Sequence, residues 1–460
     1  MAPIRSRDAA TLFLLALAGT AVAGGPDSSP VLAASRYDSD YPTVPYSSIA
    51  RHNAFARLQE RMDRGEVKLE YTPGRGYLDS LLKALKIDAS SQVLVYSKTS
   101  LQIDGITSAT PRAVYYNDQA YVGFVQNMPL LELSAADDEL GMVYYTIDNR
   151  PAPKKQFERE GGRCLTCHDT YSMMGGGVPR VMVLSALIDG PANPPGRDTS
   201  DDVNDQSPIE TRWGGWYVTG LTRAQRHLGS LPTDNDPYLV GKTDAQRFNI
   251  QDVDGLINSR PYITNKSDVV SLMVLEHQTN IQNLFTRASF KVRTVMARNG
   301  LATAGPTGAA GAAPRTWEEM TDRNQGLLKA MIEPLVRAMM MVDATPLAAP
   351  MKGTAGYEQW FQSQGPRDPQ GRSLRDLDLR SRVFKYPVSY MVYAPGFDAL
   401  PAYVKEYVYR RFAEILQGQD KSKAYAGIPV EDRKAALEIL RATKPDFAKQ
   451  LDASVVASRQ

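Results

Sequence analysis

The segment Cys164-Leu165-Thr166-Cys167-His168 constrains this chain more than any other stretch of its 460 residues. It contains both cysteines of the chain and one of its four histidines. Because no other cysteine is present, a framework of several disulfide bonds cannot hold the fold, and a large hydrophobic core must do so. A composition that is 43% hydrophobic permits such a core. In a helical turn, residues three and four apart lie on one face, which places both sulfurs on the same side.

Cys-x-x-Cys-His is the attachment signature of a c-type haem. Two thiols on one helical face can reach the two vinyl groups along one edge of a porphyrin, and His168 can then place its imidazole under the iron as the proximal ligand. In these residues the sequence resembles the c-type cytochromes, and the similarity covers little beyond the motif and its flanks. The resemblance implies a covalently bound haem c, with Cys164 and Cys167 as attachment residues and His168 on the iron.

Three other interpretations of the cysteine pair stay open. A thioredoxin-like redox pair usually begins a helix after a strand in a cytosolic α/β pattern. Half of a zinc site would need further ligands, and the chain has no second Cys/His pair to complete four. The third alternative is a plain structural disulfide bond.

Residues 1–23 have the pattern of a secretory signal peptide. Arg5 and Arg7 form a basic start, residues 12–18 form an apolar middle, and residues 21–23 form a small-residue cleavage site. The apolar run is too short to span the roughly 30 Å hydrocarbon core of a bilayer. We therefore predict an exported, soluble protein whose mature chain has no transmembrane segment. Covalent haem attachment, which the cytochrome resemblance implies, belongs to the periplasm in bacteria, so we predict a periplasmic location.

Hydrophobic periodicity predicts both strands and helices. β-Branched and aromatic residues, which favour strands, recur in short runs at 93–96, 113–116, 120–125, 130–133 and 142–146. The strongest helical pattern covers 267–298, where Ser267 can serve as the N-cap and Gly300 ends the helix. Residues 388–393 have the pattern of an extended run.

From these patterns we predict an α+β fold with a mainly helical haem-binding core, preceded by a small antiparallel sheet and followed by a helical C-terminal region. The predicted order after the signal peptide is a lead-in with a short helix (24–70), a β-rich region (71–160), the haem-binding region (161–300), an Ala/Gly/Pro linker (301–316) and the helical region (317–460).

A low-spin haem iron needs a sixth ligand, usually Met or His. His277 lies four residues after Met273 on the apolar stripe of the long predicted helix, so we predict it as the second metal ligand beside His168. His227, in a more polar stretch, and a methionine such as Met182 or Met273 are the alternatives, and an open sixth position is another.

Residues after the motif have candidate supporting roles. In small cytochromes, the carbonyl of a loop proline often receives the ring N–H of the proximal histidine. Pro179 or its neighbours, after the glycines at 175–177, resemble that arrangement, which would fix the tautomer. The alternative is a simple glycine turn. Arg163, Arg180 and Arg212 could pair with haem propionates, or could be solvated surface charges.

The net charge and the absence of several sequence motifs argue against some classes of function. A net charge of +2 argues against a nucleic-acid partner. No Walker loop or dinucleotide fingerprint is present, and so few histidines make a His-based hydrolytic triad a poor hypothesis.

We predict single-electron transfer to a redox partner protein. Because the chain far exceeds a minimal haem pocket, two alternatives stay open: a haem-dependent periplasmic oxidoreductase with a substrate pocket, and a redox-sensing interaction protein. Whether the protein is an enzyme is therefore undecided.

Overall fold

The computed structural model describes residues 40–41, 44–47, 51–169, 178–186, 200–223, 225–230, 246, 248–298 and 317–457. The predicted signal peptide and the predicted Ala/Gly/Pro linker lie outside these residues. All described residues belong to one compact unit, Tyr37–Gln460.

Ten β-strands occur among the described residues. They are β1 (Asp40–Tyr41), β2 (Val44–Pro45), β3 (Val93–Val95), β4 (Arg112–Tyr116), β5 (Ala120–Phe124), β6 (Leu130–Asp137), β7 (Gly141–Asp148), β8 (Glu158–Glu160), β9 (Leu184–Ala186) and β10 (Ser200–Asp202). Strands β3 to β8 form a six-stranded antiparallel sheet in which each strand pairs with the next along the chain. Strands β1 and β2 pair with each other, and so do β9 and β10. Each of the five runs that the sequence predicted as strands overlaps one of β3 to β7, and the runs 93–96 and 120–125 extend one residue beyond theirs. Their side chains suit a pleated, buried surface.

Eleven α-helices occur among the described residues. They are α1 (Ala54–Asp63), α2 (Leu78–Leu85), α3 (Gly162–His168), α4 (Val269–Arg298), α5 (Asp322–Met339), α6 (Tyr357–Ser363), α7 (Pro395–Asp398), α8 (Ala402–Leu416), α9 (Lys423–Ala426), α10 (Val430–Thr443) and α11 (Pro445–Ala457). Side-chain oxygens cap the N-termini of α1 and α5: Asn53 accepts hydrogen bonds from two N–H groups of α1, and Thr321 accepts one from α5.

Both faces of the six-stranded sheet are covered by helices. On one face, Tyr145 of β7 packs against Phe55 of α1, with ring centroids 5.5 Å apart. On the other face, Gln278 of α4 donates a hydrogen bond of 2.8 Å to the Tyr121 hydroxyl of β5, and Tyr144 packs against α3. Neighbouring tyrosines of β7 point to opposite faces because side chains alternate along a strand. The sheet is therefore the middle layer of the fold.

Asp268 fixes the start of the long helix α4. Its Oδ1 accepts hydrogen bonds from the backbone N–H groups of Val270 at 2.9 Å and Ser271 at 3.0 Å. Its Oδ2 accepts from Thr354 at 2.7 Å and Ala355 at 2.8 Å. One fully buried carboxylate thus caps α4 and ties it to the loop before α6.

The prediction that Ser267 caps this helix is wrong. Its Oγ donates to the Tyr217 carbonyl at 2.6 Å and accepts from the Leu94 backbone at 2.8 Å. The hydroxyl is therefore used to join β3 to the segment that precedes α4, and the neighbouring Asp268 takes the capping position.

The prediction of a mainly helical haem-binding core is also wrong. Within the described part of 161–300, only α3 and α4 are substantial helices. The residues between them form β9, β10, a 3-10 turn and loops joined by isolated bridges. The sheet is not a small preceding unit either, because every residue of β5 and nearly every residue of β7 is buried. A sheet buried on both faces forms the core itself, and the helices pack onto it.

The C-terminal part adds a second helical layer. Helix α5 packs against α4, and α8 packs against α5, α10 and α11. Residues 388–393, predicted as extended, instead contain the 3-10 helix Tyr390–Tyr393, which Ser389 caps by accepting from the Met391 N–H. No helix in the described part of the chain is long and apolar enough to cross a membrane.

We expect Asp268→Ala to lower the free energy of unfolding by at least about 2 kcal/mol. The substitution removes a helix cap, worth about 1 kcal/mol, and leaves buried N–H groups unpaired at about 1–3 kcal/mol each. The measurement is urea unfolding followed by far-ultraviolet circular dichroism. Asp322→Ala, at an exposed first-turn position of α5, is the matched control and should change the value by less than about 0.5 kcal/mol. Equal losses in the two variants would contradict the role of Asp268.

Candidate haem-attachment site

Helix α3 presents the two cysteines beside the edge strand β8. The carbonyl of Gly161 accepts from the backbone N–H groups of Cys164 at 3.1 Å and Leu165 at 3.0 Å, which begins the helix directly after the strand. Leu165 is fully buried and fixes one side of α3 to the core. The rest of the turn faces outward, so Cys164 is partly buried and Cys167 is exposed, and both thiols are free.

His168, the last residue of α3, is held in a defined tautomer. Its Nδ1 lies 2.8 Å from the carbonyl oxygen of Arg180, which can only accept, so Nδ1 carries the proton and donates. The ring packs on Tyr144 with centroids 4.7 Å apart. Burial lowers the pKa of His168 to about 4. At neutral pH the ring is therefore an uncharged imidazole with its lone pair on Nε2, and no described residue hydrogen-bonds that atom.

A main-chain hydrogen bond also joins His168 to Arg180. The backbone N–H of Arg180 donates to the carbonyl of His168 at 3.1 Å. Two hydrogen bonds in opposite directions thus join His168 to Arg180, which follows the glycines at 175–177 in the sequence. The sequence placed the carbonyl acceptor at Pro179 or its neighbours, and in the structure it belongs to the next residue along.

Two further contacts hold the segment that carries this carbonyl. The Asn283 side chain of α4 donates to the Val181 carbonyl at 2.7 Å and accepts from the Val181 N–H at 3.0 Å. The buried guanidinium of Arg180 lies 2.5 Å from Asp202 of β10 and contacts the sulfur of Met182 at 3.0 Å. The acceptor for His168 is therefore fixed to the long helix and to the β9–β10 pair.

A charged pair on the sheet lies on the face that His168 contacts. Arg112 of β4 reaches across β5 to Glu132 of β6, with 3.2 Å between Nη1 and Oε2. Gly123 of β5 lies between the two residues, and a Cβ there would be in ordinary contact with both side chains, at 3.5 Å from Glu132 and 3.6 Å from Arg112. Arg112 lowers the pKa of His168 and Glu132 raises it, so the pair leaves little net charge beside the ring.

These residues fit a covalently attached haem. The site supplies two unpaired thiols on one helical turn and a neutral imidazole with a free lone pair. Burial raises the pKa of Cys164 to about 12, so this sulfur is a neutral thiol. Within the described residues, no three His, Cys, Asp or Glu side chains converge to hold a metal ion. A haem iron has no need of such a cluster, because four of its ligands come from the porphyrin.

His277 is fully buried in α4, and both of its ring nitrogens have side-chain partners. Nδ1 lies 2.6 Å from Asp205 Oδ2, and Nε2 lies 2.7 Å from Ser389 Oγ. Its other ring partners are Phe384 and Tyr390. None of these residues belongs to the motif, so the structure does not bring His277 to His168. Its role as an iron ligand stays a prediction, and it would require His277 to give up a hydrogen bond.

The alternative sixth ligands are distributed over two places. His227 is buried between Trp213 and Phe248, and its Nδ1 accepts from the Gly229 N–H at 3.1 Å. Met182 lies beside the residue that holds His168, through its sulfur contact with the Arg180 guanidinium.

Of the arginines considered for haem propionates, all three are paired within the protein. Arg212 is buried and lies 2.7 Å from Glu276, whose other oxygen accepts from Trp213 Nε1 at 2.8 Å. Burial raises the pKa of Glu276 to about 7, against the lowering effect of Arg212. Arg163 pairs with Glu160, and Arg180 with Asp202. Arg180 and Arg212 are thus buried structural charges rather than solvated ones.

Sequence patterns did not reveal a cavity of about 360 Å³ beside His277. Asp205 lines the cavity together with His277 and Arg212. Ser389, His277 and Asp205 have the spacing of a hydrolytic triad. However, Ser389 is fully buried, does not line the cavity, and also accepts from the Met391 N–H. It therefore orients the imidazole and is not placed to act as a nucleophile.

Comparison of this chain with known protein families, with curated proteins and with solved structures found no match in any of the three.

We expect Asn283→Ala to lower the free energy of unfolding by about 1–3 kcal/mol, because it leaves the N–H and C=O groups of Val181 without their partner. Urea unfolding of the purified protein measures the change. Lys291→Ala, at an exposed position of the same helix, is the control and should stay within about 0.5 kcal/mol of the unmodified chain. A difference of that small size for Asn283→Ala as well would show that Asn283 does not hold the segment.

Proposed function

We propose that this chain is an exported monohaem c-type cytochrome. It binds one haem c covalently through Cys164 and Cys167, uses His168 as the proximal ligand of the iron, and transfers single electrons. The observation that carries the proposal is the state of His168: a neutral ring whose Nδ1–H is held by a main-chain carbonyl and whose Nε2 lone pair is left for a metal. When bound, the haem iron supplies the one-electron chemistry by alternating between its ferric and ferrous states.

The protein's own residues set the conditions for that chemistry. The Arg180 carbonyl fixes the ring orientation of His168 and makes Nε2 a stronger donor, as hydrogen bonds to the second nitrogen of metal-bound histidines do. The charges of Arg112, Arg180 and Glu132 act on the ring, and each arginine is paired, Arg180 with Asp202 and Arg112 with Glu132. A protein sets the reduction potential of a haem partly through the burial of the haem and the fixed charges beside its iron ligand.

We further propose a periplasmic location and a redox partner protein. The basic start, apolar middle and small-residue end of residues 1–23 favour export to the periplasm, where the resemblance to c-type cytochromes places haem attachment. A single-electron carrier requires a donor and an acceptor, so a redox partner protein belongs to this function.

The first test is covalent haem binding by the full chain produced in the bacterial periplasm together with the haem-attachment machinery. We expect the denatured protein to keep a mass increase of one haem and to show haem peroxidase staining after gel electrophoresis. Replacing both Cys164 and Cys167 by Ser should abolish the mass increase. Thr166→Ala, at the exposed position between them, is the matched control and should retain it. An unmodified chain without covalent haem would overturn the proposal.

Absorption spectra test the sixth ligand and the electron-transfer role. A six-coordinate, low-spin spectrum that does not respond to carbon monoxide indicates an electron carrier. If His277 is the sixth ligand, His277→Ala should convert the spectrum to high-spin and allow carbon monoxide to bind, since an iron position is opened. His227→Ala and Met182→Ala test the alternatives in the same way, and His52→Ala, an exposed histidine, is the control. An unchanged spectrum of His277→Ala eliminates His277.

One observation favours a second candidate function. The cavity of about 360 Å³ beside His277 is large enough for a small molecule, and it would serve as the substrate pocket of a haem-dependent oxidoreductase if His277 is the second iron ligand. High-spin iron, or ready binding of carbon monoxide by the unmodified protein, would favour this enzyme over the electron carrier.

A further inference from the structure

The cavity beside His277 has walls from several parts of the fold. Helix α4 contributes Met273 and His277, the segment after α5 contributes residues 340–347, and a later segment contributes residues 381–387. Its volume is about 360 Å³. A dry cavity of roughly 150 Å³ already holds benzene, and small-molecule sites cover roughly 300–1,000 Å³. The cavity therefore has room for a molecule of about two fused rings.

Most of the cavity wall is apolar. Met273, Met340 and Met341 line it together with Leu347 and Phe384, and further valine, isoleucine, alanine and proline residues complete the wall. Methionine side chains are flexible and polarisable, and they make favourable contacts with aromatic rings. The body of a ligand that fits this wall is therefore apolar, and an aromatic ring suits it.

The two arginines that line the cavity have partners within the protein. The Arg212 guanidinium lies 2.7 Å from the Glu276 carboxylate and also donates to two main-chain carbonyls. The Arg382 guanidinium lies 2.7 Å from Asp432 and donates to the Lys385 carbonyl at 2.6 Å. An anionic ligand would thus meet no arginine that lacks a counter-charge or acceptor.

His277 and Asp205 are joined to each other at 2.6 Å, whether the ring is neutral or protonated. The second ring nitrogen of His277 lies 2.7 Å from Ser389 Oγ, and the second oxygen of Asp205 accepts from Asn280 at 3.0 Å.

The two other small polar side chains of the wall are also bonded within the protein. Thr345 donates to the Gln206 carbonyl at 2.8 Å, and Ser381 donates to Asp378 at 3.0 Å. A charged group that leaves water pays a large cost unless an opposite charge pairs with it. Since the charged groups of the wall are already paired, a neutral ligand is the better match.

Tyr386 differs from the other polar residues of the wall. Its side chain is 95% buried, with 5% exposed, and it lines the cavity. Its hydroxyl forms no hydrogen bond with any residue that the structure describes, and the oxygen is not sealed from water-sized molecules. A phenol hydroxyl both donates and accepts, so Tyr386 can pair with one neutral polar group, such as a hydroxyl or a carbonyl.

We infer that the cavity is a binding site for a neutral, mainly apolar molecule of about two fused rings, with one hydroxyl or carbonyl group that pairs with the Tyr386 hydroxyl. The wall is formed by the protein's own side chains, so this binding does not depend on haem attachment.

The experiment is isothermal titration calorimetry at neutral pH on the full-length, purified protein as it is produced, with three probes of matched shape. The probes are 2-naphthol, which is neutral, 2-naphthylmethylamine, which is cationic, and 2-naphthoate, which is anionic. We expect 2-naphthol to bind at least about tenfold more tightly than either charged probe, because the charged probes lose water without gaining an unpaired counter-charge.

A pair of tryptophan substitutions locates the binding. Ala344 lines the cavity, and Ala348, four residues later, is exposed and does not. We expect Ala344→Trp to weaken the binding of 2-naphthol by at least about tenfold by occupying the space, while Ala348→Trp leaves it unchanged.

A pair of tyrosine substitutions tests the hydrogen bond. Tyr386→Phe keeps the ring and removes the hydroxyl, so we expect it to weaken the binding of 2-naphthol by about threefold to tenfold. Tyr71→Phe is the matched control, because Tyr71 is 44% exposed and does not line the cavity. It should leave the affinity unchanged.

Four results would overturn the inference: no binding of 2-naphthol at millimolar concentration, a charged probe that binds as tightly as 2-naphthol, equal effects of the two tryptophan variants, or equal effects of the two phenylalanine variants. If Ala344→Trp does not fold, the comparison of probes and the phenylalanine pair still decide the matter.

An absorption spectrum of each sample reports haem independently. A sample that lacks haem and still prefers 2-naphthol supports the cavity inference and contradicts the haem proposal. A sample with covalent haem that binds none of the three probes does the reverse.

Discussion

The buried polar contacts of helix α4 determine how the layers of this protein fit together. Gln278 is the central example: its Nε2 donates to the Asn117 carbonyl and the Tyr121 hydroxyl, both at 2.8 Å, and its Oε1 accepts from Tyr390 at 3.0 Å. One amide thus joins the sheet, the helix and the C-terminal part. A buried polar group without its partners costs about 1–3 kcal/mol. Sliding the helix by one residue would break several such bonds together, so the packing has a single register.

The same helix positions both candidate sites. Asn283 hydrogen-bonds to the segment whose carbonyl orients His168. His277, less than two turns earlier on the same helix, contacts Asp205 and lines the cavity. Side chains on a regular helix are placed more rigidly than side chains on loops. Residues 164–168, 205 and 389 are far apart in sequence. One helix contacts them or the residues that hold them, and it therefore determines their positions.

Local patterns in the sequence predicted the elements better than their arrangement. The strand runs and the long helix appear where expected, because alternation and a 3.6-residue period are local properties of burial. The capping residue was misassigned between Ser267 and Asp268, since both can cap and only the contacts to Tyr217 and Thr354 distinguish them. The central position of the sheet depends on pairings between distant segments, which no local pattern contains.

Some residues of the candidate site could be predicted from the sequence, and others could not. Cys164, Cys167 and His168 are recognisable because their spacing within one turn has a chemical meaning. Tyr144 and Asn283 are not, because a tyrosine in a strand and an asparagine in a helix are ordinary until their neighbours are known. The cavity wall at Asp205 was hidden for the same reason: its importance comes from a histidine 72 positions away.

The acceptor that orients His168 is a main-chain oxygen, and this has a consequence for how such a protein can change over generations. Every amino acid at position 180 supplies the same carbonyl, so a substitution there keeps the acceptor itself and removes only the side-chain pairing with Asp202, while Asn283 still holds the segment. The side chain at that position, by contrast, places a charge close to the ring. Evolution can therefore vary the charge next to His168 independently of its geometry, within the stability that the Asp202 pairing requires.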